Sequence, residues 1–163
     1  SAAYYNVIFS MADTINARHF PMPLPVLVSS AKEREVLHNQ SLVKIALELG
    51  AEANAAFVGV GELGPDAPLC EDGFLAREEM AQLMAQGAAG EICGWTFDHD
   101  GALLAGSINE RVASIPLPPR DRASVIGIAK GTRKYAALRA ALKGRIINGL
   151  ITDEATAEYL LKA

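Results

Sequence analysis

Apolar residues at Val7, Ile8, Met11 and Ile15 recur at close to the 3.6-residue helical period, which predicts a helix over Tyr4 to Ala17 with one face packed on a sheet. Pro21, Pro23 and Pro25 then alternate with Met22 and Leu24. Proline at every second position excludes both a helix and a central strand, so this stretch reads as an extended edge or loop. Lys32 to Asn39 predicts a short helix. Leu42, Val43, Ala46, Leu47 and Leu49 predict a stronger amphipathic one that stops near Gly50. Ala55 to Val60 is almost wholly apolar, the pattern of a strand covered on both faces. The run Gly59 to Pro68 (GVGELGPDAP) breaks regular structure and places a glycine-rich, acidic loop at the C-terminal end of that strand.

Ala76 to Gln86 reads as a helix with Met80, Leu83 and Met84 on its core side, ended by Gly87 and followed by the glycine-bounded turn Gly87-Ala88-Ala89-Gly90. Ile92 to Phe97 and Ala102 to Leu104 flank Asp98-His99-Asp100-Gly101, so a β-hairpin is expected there. After the proline-rich stretch Pro116 to Pro119, Val125 to Ala129 predicts a buried strand and Thr132 to Lys143 a helix. Gly149 to Thr152 then predicts a strand and Ala155 to Leu161 a last helix, with Asp153 as its N-cap. Alternation of strand and helix specifies an α/β fold: a mostly parallel sheet with helices on both faces.

Length fits one globular domain, and the longest apolar runs fall far short of the roughly 20 residues a membrane-spanning helix needs. With no export-type leader, the expectation is a soluble, cytoplasmic protein without a membrane partner. Cys70 and Cys93 have no metal-type spacing and read as buried free thiols. His19, His38 and His99 lie on different elements, so no metal site is expected. The net charge of −4 conceals an asymmetry. Residues 1–119 hold six Lys/Arg against fifteen Asp/Glu, and residues 120–163 hold nine against four. An acidic chain with a locally basic end suits a small anionic ligand better than nucleic acid.

The candidate chemistry follows that division. The run Gly127 to Lys134 (GIAKGTRK) sits between a predicted strand and a helix, where backbone N–H groups attract an anion and Thr132 and Lys134 could add to the pull. It lacks the full spacing of a nucleotide loop and could equally be a tight turn beside an exposed cationic helix face. Asp72, in Glu71-Asp72-Gly73-Phe74, and Glu91 could perform acid and base steps or accept hydrogen bonds from sugar hydroxyls. As structural residues they would be a turn former and a solvated strand end. Ser10, Ser41 and Ser107 lack a nucleophile elbow, and neither cysteine lies in a catalytic signature. Trp95 could line a pocket or fill the core.

Three segments together carry a family resemblance: GVGELGPDAPLCEDGFLAREEM at 59–80, GAAGEICGWTFDHDG at 87–101 and VIGIAKGTRKYAALRAALKGRIINGLITDEATAEYLL at 125–161. In order and spacing they resemble the effector domain of SorC-family transcriptional regulators. The resemblance implies a Rossmann-like sheet similar to glucosamine-6-phosphate deaminase and ribose-5-phosphate isomerase. It implies a binding module for a phosphorylated sugar or polyol that controls operator binding, and no catalysis or cofactor. The alternative on such a fold is a sugar-phosphate isomerase or deaminase. By the same resemblance, residues 1–163 form a partial effector domain whose first strand and glycine- and threonine-containing phosphate loop precede Ser1. DNA would be bound only through an N-terminal domain outside these residues, and the regulator would be a homo-oligomer. Carried over position by position, Asp72 and Phe74 would contribute to the sugar pocket and Glu91 would accept sugar hydroxyls. Lys134 would face the phosphate, with Gly131 and Thr132 shaping the adjoining loop. Pentose, hexose, polyol and signalling-sugar phosphates all fit this scheme.

Overall fold

The computed structural model describes residues 7–119 and 121–162. In chain order the elements are α1 (Val7–Ile15), α2 (Ala31–His38), α3 (Ser41–Ala51), β1 (Ala55–Gly59), α4 (Pro68–Glu71), α5 (Arg77–Ala85), β2 (Ala88–Ile92), β3 (Trp95–Asp98), α6 (Ser107–Glu110), β4 (Ser124–Ile128), α7 (Tyr135–Lys143), β5 (Gly149–Ile151) and α8 (Glu154–Lys162). A short 3-10 turn, Thr132–Lys134, leads into α7. The expected α/β architecture is present. β1, β4 and β5 form a parallel sheet in that order, with Phe57 opposite Ile126 and Ile126 opposite Gly149; β2 and β3 form a separate antiparallel pair.

Packing explains which face of the sheet is dry. Val58, Val60 and Val125 point toward α7, whose Ala137, Leu138, Ala140 and Ala141 close over them together with Ile92, Phe97 and Ile147. Alanines on α7 allow a close approach, and each large side chain sealed here contributes about 1.5–3 kcal/mol of burial. The other face carries Phe57, Ile128 and Ile151, which are 59%, 46% and 53% exposed. β1 was therefore expected to be covered on both faces, but its side chains alternate between buried and exposed. An all-apolar run records what a strand can bury, and the neighbouring elements decide which half of it is covered.

Other expectations also change. Residues 4–6 of the first predicted helix lie outside the described residues. Over 7–15 the helix forms, but Ile8, Met11 and Ile15 are exposed whereas Ala12 is buried, so these three apolar residues are not on its packed face. Met84 is exposed, whereas Met80 and Leu83 join the second core cluster with Ala67, Leu69, Leu75, Ala88 and Ile108. Cys70 is half-buried and Cys93 is exposed.

The segment Gly87 to Gly90, expected as a turn, is mostly strand. Its small residues let β2 slide beneath α7: a Cβ on Gly90 would come within 2.5 Å of the Ala137 Cβ and 2.9 Å of the Phe97 ring. The main hairpin consequently turns at Cys93-Gly94, where φ is +53° and +87°, the left-handed pair that a two-residue connection requires. The expected turn at Asp98 to Gly101 also forms, but what it joins is a short bridge, Phe97 to Leu103. Asp98 Oδ1 organises it by accepting from the backbone N–H of Asp100 and Ala102, both at 2.9 Å. The hairpin is pinned to the segment beyond it by buried Asn109. Its Oδ1 accepts from Thr96 N and Thr96 Oγ1 at 2.8 and 2.9 Å, while its Nδ2 donates to the carbonyls of Thr96 and Leu104 at 2.9 and 2.7 Å.

Candidate functional site

Because β1, β4 and β5 run parallel, the loops that leave them emerge on one rim of the sheet. The loop after β1 supplies Gly61 and Glu62, the turn after β4 supplies Gly131 to Lys134, and the start of α8 after β5 supplies Asp153 and Thr156. β2 reaches the same rim through an antiparallel bridge between Gly61 and Glu91. Reciprocal backbone hydrogen bonds fix that bridge: Gly61 N donates to Glu91 O at 2.9 Å and Glu91 N donates to Gly61 O at 3.0 Å.

Glu91 is held tightly. Gly94 N donates to its Oε2 at 2.8 Å, so the carboxylate braces the turn of its own hairpin. The side chain lies directly over Gly61, where a Cβ would collide with Oε1 and approach Cδ and Cγ to 2.8 and 2.9 Å. Burial pushes the Glu91 carboxyl above its ordinary value. The Gly94 hydrogen bond and the Lys134 charge oppose that shift, and the neighbouring Glu62 charge adds to it.

Lys134 Nζ is paired with Glu62 Oε2, and Arg133 approaches Glu62 Oε1 from the solvent side at 3.5 Å. The two side chains of the inner pair are only 22% and 13% exposed. Burial pushes the Glu62 carboxyl up, but the hydrogen bond from Lys134, a backbone N–H and the Lys134 and Arg133 charges outweigh it and leave the group below its ordinary value. The cationic turn thus meets the loop after β1 in an ion pair closed on itself, through a carboxylate other than the nominated Asp72 and Glu91. Glu62 was not singled out in the sequence; its only local sign is an acidic residue directly after the glycine-bounded end of a buried strand.

Gly131, with φ of +94°, donates its N–H to Thr156 Oγ1 at 3.0 Å. Thr156 is fully buried, and its own N–H is accepted by Asp153 Oδ1 at 2.9 Å, the expected N-cap of the last helix. The Gly131 amide therefore ties the β4 turn to α8. Thr132 is exposed at the start of the 3-10 turn. Phe74 packs against the second core cluster, and Asp72 ends α4 on its exposed side, with its N–H donating to Pro68 O at 2.8 Å. Of the sequence-nominated residues the rim brings together Glu91, Gly131, Thr132 and Lys134, and it adds Glu62.

Trp95 is partly buried. Arg34 lies over its ring at 5.5 Å, and with Phe97, Leu103 and the prolines of 116–119 it lines a separate apolar cleft. Among the described residues no group of His, Cys, Asp and Glu is arranged to hold a metal ion, and no helix is long and apolar enough to cross a membrane.

Residues 1–162 match the family described as "Putative sugar-binding domain". The chain is 30% identical over 157 residues to the erythritol catabolism regulatory protein EryD of Brucella abortus, covering 96% of this chain and 50% of that protein. It is 33% identical over 144 residues to the transcriptional regulator LsrR of Klebsiella pneumoniae, covering 86% and 45%. Among solved structures, the full-length sorbitol operon regulator SorC from Klebsiella pneumoniae superposes with a TM-score of 0.83 at 29% identity, over 94% of this chain and 50% of that one. A DeoR family transcriptional regulator from Listeria monocytogenes shares the fold, with a TM-score of 0.86 at 24% identity, over 93% and 62%. This chain belongs to the sugar-binding domain family of SorC-type transcriptional regulators. It spans about half the length of the relatives it matches.

Proposed function

We propose that this domain senses a phosphorylated sugar or polyol at the rim built from Glu62, Glu91, Gly131, Thr132 and Lys134, and that occupancy alters the operator binding of the regulator to which it belongs. The observation that carries this reading is the convergence of a cation, Lys134, and a carboxylate, Glu62, both just beyond the C-terminal ends of parallel strands, with a second carboxylate, Glu91, brought to the same rim by the bridge from β2. One end of such a ligand is an anion and the other is a set of neutral hydroxyls. Lys134 suits the first and a fixed carboxylate such as Glu91 suits the second. Asp72 and Phe74 would serve the far end of the ligand. Relatives named for erythritol catabolism and a sorbitol operon support a polyol or sugar as the ligand class.

Coupling to DNA requires that the ligand bind the two states of the regulator with different affinity. DNA contact is assigned to a region of the full-length protein outside residues 1–163, and symmetric self-association to that protein as well, so its sedimentation should show an oligomer. No catalysis is assigned, and incubation with aldose and ketose phosphates should leave them unconverted.

A charge-assisted contact to phosphate is worth about 1.5–3 kcal/mol, so Lys134→Ala should weaken a phosphorylated ligand by roughly 10- to 150-fold and leave its unphosphorylated counterpart almost unchanged. Calorimetric titration of the full-length regulator with matched phosphorylated and free polyols measures this. Equal losses for both members of each pair, or no loss for either, would remove Lys134 from the phosphate role.

A further inference from the structure

We infer that Glu62 is a selectivity residue for this site: it holds Lys134 as an internal counter-ion and yields it only to a ligand that brings its own anion. The inference rests on the phosphate role of Lys134 and adds to it the means by which neutral sugars are refused.

Three observations support it. First, the ammonium expected to meet phosphate is already engaged, by a carboxylate that is 13% exposed on the inner side and backed by Arg133 on the outer. A neutral hydroxyl competing for Lys134 would replace an ion pair with a bond charged on one side only and leave Glu62 without its counter-charge, whereas a phosphate offers charge in return. Second, the two carboxylates differ in freedom. Glu91 is clamped by the Gly94 N–H, by the reciprocal bonds to Gly61 and by the side chain's fit over that glycine. Glu62 stands one residue beyond that bridge, at the start of a loop containing Gly64 and Pro65 that runs to α4. Of the pair, Glu62 is the one that can swing away. Third, a phosphate on Lys134 would sit beside both carboxylates. Like charges this close repel, and the displacement of Glu62 relieves that repulsion while Arg133 remains able to follow it.

The test is amine labelling of Lys134, read by peptide mapping, in full-length wild-type protein and in Glu62→Gln, with inorganic phosphate as the probe. Wild-type Lys134 should label slowly, and Glu62→Gln should raise its labelling rate several-fold. Phosphate should then protect the variant at roughly 2- to 5-fold lower concentration than wild type, the range expected for removing a partly exposed ion-pair partner. Glu62→Asp, which keeps the charge one methylene further back, should fall between the two and separates charge from any general loosening of the fold. Unchanged labelling and unchanged phosphate protection in Glu62→Gln would overturn the selectivity role. Faster labelling without phosphate protection in either protein would show instead that the ion pair is real but the phosphate reading of the site is wrong, and the inference would fall with it.

Discussion

The position of Glu91 depends on the absence of a side chain at Gly61, and that dependence can be measured. Gly61 does not need glycine for its own backbone, since it is not among the residues with positive φ. What it supplies is space: an added methyl would meet Oε1, Cδ and Cγ of Glu91 together, so a small rotation of the carboxylate cannot relieve the clash and the whole side chain must leave. Leaving breaks the 2.8 Å bond from Gly94 N to Oε2, a bond to a charged acceptor worth about 1.5–3 kcal/mol. For a chain of this size each kcal/mol moves the melting temperature by about 2–4 °C, so Gly61→Ala should lower it by roughly 3–12 °C.

The diagnostic measurement is a double-mutant cycle. In a Glu91→Ala background the clash and the hydrogen bond are both gone, and Gly61→Ala should then cost no more than about 0.5 kcal/mol, the ordinary effect of a substitution that touches nothing special. A coupling of about 1–3 kcal/mol by urea denaturation is the expected result. If Gly61→Ala costs the same in both backgrounds, the glycine serves something other than Glu91, and the account of how that carboxylate is held is refuted.

Two further outcomes follow from the same structure. Burial raises the Glu91 carboxyl above its ordinary 4.5, so the fold prefers its neutral form. Its favourable contribution is complete below the unfolded value and is lost as pH rises through the folded one. Glu91→Gln should therefore gain in relative stability as pH is raised from about 4.5 toward neutrality, and thermal unfolding across that range would contradict this if the difference from wild type stayed flat. Asn109→Ala should cost at least about 3 kcal/mol, because it strips partners from the buried Thr96 N–H and hydroxyl and from two carbonyls; chemical denaturation giving less than 1 kcal/mol would mean water replaces the side chain.

Element types were legible in the sequence wherever local chemistry decides them. The 3.6-residue patterns, the proline alternation at 21–25, the apolar runs of β1 and β4 and the Asp153 cap all report on interactions within a few residues. Coverage was not legible, because it depends on partners distant in the chain. Ile8, Met11 and Ile15 form a regular stripe and are exposed, while Phe57 belongs to an apolar strand and is more than half exposed. Gly87 to Gly90 failed for a related reason. Four small residues look like a turn in isolation, and only the proximity of Ala137 shows that smallness there makes room for a helix.

The candidate site divides along the same line. Glu91 and Lys134 could be nominated because each lies in a segment whose order and spacing resemble a family, yet neither segment says what the side chain touches. Glu62 carries almost no local signal, and its significance comes wholly from topology. Parallel strands return their C-terminal ends to one rim, so the first charged residue after β1 faces the first turn of the helix that follows β4. The expected division of the ligand between a cationic turn and acidic loops treated those charges as separate attractions awaiting a guest. At the rim Lys134 is neutralised instead by Glu62, which was not among those carboxylates, and a partly buried ammonium so paired has little to gain from a hydroxyl that brings no counter-charge. The affinity of such a site for any ligand is therefore a difference between two paired states. That difference favours a guest carrying its own negative charge, as the proposed phosphorylated ligand does.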